Sequence, residues 1–185
     1  RALEEDLRAI RARMKKDCRY MAVVKANAYG HGDLEMARFL QEMGADWLGV
    51  ATFQEAESLR HGGVTLPILI LGDTPATLAP ELCRLEITQT VYSAAYARDL
   101  AACVPEGAQV QVHLKVNTGM NRLGFTPREP EGLEQAMALY QDPRMQCTGI
   151  FTHFAVADEL DEGSRAHTRE QFRLFMGFCG DLEHR

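Results

Sequence analysis

The stretch Met21-Ala-Val-Val-Lys-Ala-Asn-Ala-Tyr-Gly-His-Gly32 decides how this chain is read. It predicts a short apolar strand over 20–25 that ends on a lysine, then a polar turn punctuated by glycine. A lysine at the end of a buried strand loses hydration, and desolvation favours the neutral amine, the form that attacks carbonyl carbon. The competing reading is a lysine whose stem lies on the strand while its head stays in water.

Working outward, the pattern repeats. A helix is expected over 2–15, with Ala2, Leu3, Leu7, Ile10 and Met14 as its apolar residues. Asp33 is expected to cap a helix over 34–43 that Gly44 ends. Further strands are expected over 47–51, 67–71, 87–91, 109–116 and 146–152. Helices over 53–61, 78–84, 93–103, 129–141 and 163–180 separate or follow them. Strands and helices in strict alternation imply parallel pairing with right-handed crossovers. A doubly wound sheet and a (β/α) barrel both fit. No internal repeat, low-complexity tract or long linker interrupts the pattern.

A length of 185 residues suits one domain with a substantial core. Apolar residues make up 46% and charged residues 25%, as in ordinary globular proteins. The net charge of −6 argues against nucleic acid or an anionic membrane as the main partner. No run approaches the ~20 apolar residues that span a bilayer, and no signal peptide is seen. Cytoplasmic localisation is expected. Cys18, Cys83, Cys103, Cys147 and Cys179 are odd in number and form no C-x-x-C pair. They are expected to be reduced, buried thiols, with no metal site.

In parallel β/α folds the reacting groups collect at the C-terminal ends of strands. Lys25, Lys115 and His153 all fall at such ends. Strand alternation puts Met21, Val23 and Lys25 on one face of the first strand. It puts Gln111, His113 and Lys115 on one face of the fifth, with Val110, Val112, Leu114 and Val116 on the other. The polar face should look into a barrel mouth and the apolar face toward outer helices.

Three segments carry a family resemblance. Ala22-Val-Val-Lys-Ala-Asn-Ala-Tyr-Gly-His-Gly32 closely resembles the pyridoxal phosphate (PLP) signature of alanine racemases. Lys115-Val-Asn-Thr-Gly-Met-Asn-Arg-Leu-Gly-Phe125 and Thr152-His-Phe-Ala-Val-Ala-Asp158 resemble two further signatures, in the family's order. The resemblance covers nearly the whole chain but not the whole family protein. It implies a (β/α)8 barrel of which about six βα units are present, and a C-terminal β domain that lies outside this chain.

The resemblance also implies roles. Lys25 would hold PLP as a Schiff base and serve as one of two acid/base groups. Tyr29 would bond the cofactor phosphate, and Leu71 would line the pocket. Arg122 would bond the cofactor's phenolic oxygen and the substrate carboxylate. His153 would lie against the pyridine ring. Lys115 matches a lysine that becomes a carbamate in several members and orients the arginine. Asn117 stands where the family usually has Asp, a change of one charge beside Lys115 and Arg122.

The implied activity is racemisation of alanine through an external aldimine and two-base proton transfer, a reaction that supplies D-alanine to cell-wall peptidoglycan. This chain would carry the cofactor-lysine half of the site, and the second base would come from the partner subunit of a homodimer. By itself the chain is expected to be weakly active or inactive, and unpaired strand edges predict self-association. The alternatives are a serine or broad-spectrum racemase, a PLP-binding barrel protein without racemase activity, and a non-catalytic folding module.

Overall fold

The computed structural model describes residues 2–184. The chain divides into two compact units, one up to Asp73 and the other from Thr74. Six strands alternate with helices: β1 (Met21–Val23), β2 (Trp47–Val50), β3 (Ile68–Ile70), β4 (Ile87–Val91), β5 (Val110–Val116) and β6 (Met145–Thr152).

In the first unit β1, β2 and β3 pair in parallel, Ala22 opposite Leu48 and Leu48 opposite Ile68. Leu48, Val50, Ile68 and Ile70 are wholly buried. Helices Asp33–Glu42 and Phe53–His61 bury Ala37, Leu40, Ala56 and Leu59. Ala2–Arg13 buries only Leu7, while Leu3 and Ile10 are exposed and Met14 lies past the helix end. Asp33 does not cap its helix as expected. It is the first helical residue, Gly32 holds the cap position, and the Asp33 amide donates to Asn27 Oδ1 at 2.9 Å. Gly44, with φ +79°, closes that helix as expected.

In the second unit β4, β5 and β6 pair in parallel. Val110, Val112, Leu114 and Val116 are fully or almost fully buried, as alternation requires of the helix-facing side. The register of β6 skips Thr148, since Val112 pairs with Cys147 and His113 with Gly149. This bulge brings Gly149 under the His113 ring, where an added Cβ would lie 2.6 Å from Nε2. Burial pushes the His113 imidazole down to about 4, so it is neutral at pH 7. Helices Ala79–Arg84, Ala94–Ala102 and Pro130–Tyr140 connect or flank these strands, and Glu162–Glu183 follows β6. The last helix runs three residues beyond its expected end.

The cysteines depart from expectation. Cys18 is exposed and the other four are half-buried, and none is disulfide-bonded. Burial raises the pKa of Cys83, Cys147 and Cys179, which keeps those thiols protonated. Among the described residues no helix is long and apolar enough to cross a membrane.

Candidate active site

In the first unit β1 stops at Val23, two residues short of the expected lysine. Lys25 is half-buried and opens a turn of left-handed sense. Ala26, Asn27, Ala28 and Tyr29 all have φ between 50° and 55°. None is glycine, and each such L-residue costs roughly 1–2 kcal/mol. Hydrogen bonds lock the turn. Ala28 donates to the Val24 carbonyl at 2.9 Å, and Gly30 donates to those of Ala26 and Asn27 at 3.2 and 3.0 Å. The turn aims Tyr29 outward, with 63% of its surface exposed.

Glu55 anchors this turn, and the sequence reading did not single it out. Its Oε1 accepts from the Ala26 amide at 2.7 Å. Its Oε2 accepts from Ala51 at 2.6 Å and Thr52 at 3.1 Å. The Glu55 amide in turn donates to Thr52 Oγ1, completing a capping box at the start of helix Phe53–His61. The T-x-x-E spacing of Thr52 and Glu55 was the available signal. Leu71, just past β3, lies over Gly49 beside Met21 and Val23. A Cβ at Gly49 would meet all three side chains at 3.4 Å.

In the second unit Lys115 is the deeply buried amine, 5% exposed. Burial, and then the Arg122 charge, push its pKa down to about 8. Its Nζ sits 4.4 Å from the centre of the Phe151 ring, a contact that favours the ammonium but is outweighed by desolvation. Arg122 is exposed on the loop after β5. That loop is pinned at its base, where Asn117 donates to the Phe125 carbonyl at 2.8 Å and Phe125 to that of Lys115 at 2.9 Å. Gly124 permits this, because a Cβ there would lie 2.7 Å from the Asn117 nitrogen. Asn117 Oδ1 accepts from Gly119 at 3.3 Å and Asn121 at 2.9 Å, so the neutral amide caps the loop without a carboxylate.

His153 is exposed just past β6. Gln171, on the last helix, is wholly buried and bonds both the His153 carbonyl and the Thr118 hydroxyl. A polar residue inside a helix gave no sequence signal for this contact. Each unit thus presents its marked residues at or just past the C-terminal ends of its strands. Lys25, Tyr29 and Leu71 do so in one, and Lys115, Arg122 and His153 in the other.

A family model described as alanine racemase, N-terminal domain, matches residues 1–185. The chain belongs to the alanine racemase family. It is 44% identical over 164 residues to an alanine racemase of Clostridium perfringens strain SM101, covering 88% of this chain and 42% of the relative. The alanine racemase of Clostridium difficile 630 superposes with TM-score 0.89 at 34% identity, covering 98% of this chain and 47% of that one. The Bacillus anthracis alanine racemase, solved with bound L-Ala-P, superposes with TM-score 0.90 at 29% identity, covering 99% and 46%. The fold class is therefore α/β, the (β/α)8 barrel of these racemases with six βα units present. The chain spans somewhat under half the length of the relatives it matches.

Proposed function

We propose that this chain is the cofactor-lysine half of a PLP-dependent alanine racemase. The observation that carries the reading is Lys25, held just past β1 by a hydrogen-bonded left-handed turn within a family match over all 185 residues. The donor types in each unit suit the cofactor: the first offers a half-buried primary amine for an aldehyde and a phenol for a phosphate, and the second offers a guanidinium and an imidazole. When bound, pyridoxal phosphate supplies an aldehyde carbon for amines and an electron sink that acidifies a proton α to the attached nitrogen.

The chain's residues divide the remaining work. Lys25 Nζ would hold the cofactor and would carry the α-proton on one face of the substrate. The Tyr29 hydroxyl would donate to the phosphate. The Arg122 guanidinium would bond the cofactor's phenolic oxygen and the substrate carboxylate, a task its planar fork suits. His153 would support the ring, and Leu71 would offer an apolar wall.

Lys115 supports Arg122 in a way its burial favours. A neutral amine adds to carbon dioxide, forming an N–C bond and releasing one proton, and leaves a carbamate anion. An amine with a pKa of about 8 is neutral often enough near pH 7 to do this. The carbamate would turn repulsion of Arg122 into a charge-assisted hydrogen bond.

The second half of the relatives' length would supply a C-terminal β domain, the remaining phosphate donors and, from the partner subunit of a homodimer, the second base. A cytoplasmic enzyme of this kind would provide D-alanine for peptidoglycan. Deuterium uptake at Cα of alanine, followed by NMR in D2O with PLP present, tests this. The chain alone should exchange slowly or not at all, and addition of the second half should restore turnover. Full turnover by the 185 residues alone, or faster exchange of serine than alanine after reconstitution, contradicts it.

A further inference from the structure

We infer that Gln171 is a positioning residue: one buried amide on the last helix fixes both the strand end that carries His153 and the loop that carries Arg122. The inference rests on the proposed role of those two residues toward the cofactor, and it concerns how they are held.

Gln171 is wholly buried, and each side of its amide is used. Nε2 donates to Thr118 Oγ1 at 3.1 Å and to the His153 carbonyl at 3.2 Å. Oε1 accepts from the Ala155 amide at 3.0 Å. The direction of the remaining bonds follows from proton counting. Thr152 Oγ1 donates to the Val116 carbonyl at 2.8 Å. A hydroxyl has one proton, so Thr152 can only accept in its 2.8 Å contact with Thr118. Thr118 therefore donates to Thr152 and accepts from Gln171. The result is a one-way chain from Gln171 through Thr118 and Thr152 to the backbone of β5.

Position 171 must then provide two donors and one acceptor. Among side chains that reach this far, glutamine does so at every pH. A glutamate would keep the acceptor for Ala155 but set an anion against the His153 carbonyl, and Thr118 could bond it only by withdrawing its proton from Thr152. The loop rests directly on the helix here, because a Cβ at Gly119 would meet His167 Cε1 at 3.3 Å and Gln171 Cγ at 3.6 Å. Arg122 lies four residues beyond Thr118, and His153 immediately follows Thr152. The same chain thus sets the origin of both side chains.

The test compares Gln171→Glu and Thr118→Val with the wild type in the full chain. Circular dichroism checks folding, amide hydrogen exchange reads Gly119 and Asn121, NMR reads the His153 ring, and absorbance titration gives PLP affinity. We expect folded variants in which Gly119 and Asn121 exchange at least ~10-fold faster, as loss of a buried hydrogen bond implies. We also expect displaced His153 resonances and PLP affinity lowered about tenfold. If Gln171→Glu unfolds, Thr118→Val breaks the same chain at its middle link. Folded variants with unchanged exchange, unchanged His153 resonances and unchanged PLP affinity overturn the inference. A wild type that binds no PLP, with loop exchange still accelerated in the variants, removes the cofactor reading and leaves the positioning of the loop intact.

Discussion

Lys25 and Lys115 both sit at strand ends, yet the fold treats them in opposite ways. Lys115 is the sixth residue of a seven-residue strand, on regular backbone, 5% exposed and packed on Phe151. Lys25 lies past the end of a three-residue strand, half-buried, at the mouth of a left-handed turn. The deep burial that the sequence argument assigned to the amine at 25 is found at 115. The Schiff-base role proposed for Lys25 calls for room to reach a carbonyl and later let go. Leaving the strand provides room, and strained backbone is the cost. A lysine kept on the strand gains rigidity and loses hydration, and its ammonium becomes the unfavourable form.

The sharpest way to break the contrast is to disturb the regular end. Gly124→Ala places a Cβ 2.7 Å from the Asn117 nitrogen and 2.8 Å from the Lys115 oxygen, at φ +127°. It should cost about 3–4 kcal/mol, read as a large drop in unfolding midpoint in urea. A loss under ~1 kcal/mol would show that the loop base is not tightly fixed.

Titration comes next. The folded pKa of Lys115, about 8, lies below its ordinary value of 10.5. Below pH 8 both folded and unfolded states hold the proton and the full penalty is present. Between 8 and 10.5 the unfolded chain binds more protons, so stability rises with pH. In CO2-free buffer Lys115→Met should therefore be more stable than wild type at pH 7 by about 2–3 kcal/mol. The gap should close toward pH 10.5, and a pH-independent gap would contradict the burial argument.

Smaller effects probe the irregular end. Glu55→Gln replaces one of two accepting oxygens, so at least one of the three backbone donors loses its partner. It should cost about 1–2 kcal/mol and speed amide exchange at Ala26, and unchanged exchange there would show that Glu55 does not hold the turn. Ala26→Gly should do the reverse. At φ 53° and on an exposed site, glycine relieves strain, and the thermal midpoint should rise by the equivalent of ~1 kcal/mol.

These regions also differ in how far the sequence disclosed them. The alternating face of β5 predicts the burial of Val110, Val112, Leu114 and Val116, because a two-residue period has a single physical reading. The strands, and their parallel sense within each unit, follow instead from the regular alternation of strand and helix. The turn after Lys25 does not. Ala-Asn-Ala-Tyr lacks the glycines that normally mark positive φ, and its first amide is held by Glu55, which lies 29 residues from Ala26. Gln171 was equally hidden, since its partners Thr118 and His153 lie 53 and 18 residues away. The cysteines show the limit of residue averages, because Cys18 is exposed where burial is the rule for its type.

The most direct measurement is to incubate the full chain with PLP, reduce with borohydride, and map the modified peptide by mass spectrometry. The account predicts one adduct, on the peptide containing Lys25, with Lys115 unmodified. An adduct on Lys115 in place of Lys25, or none at all, would contradict it.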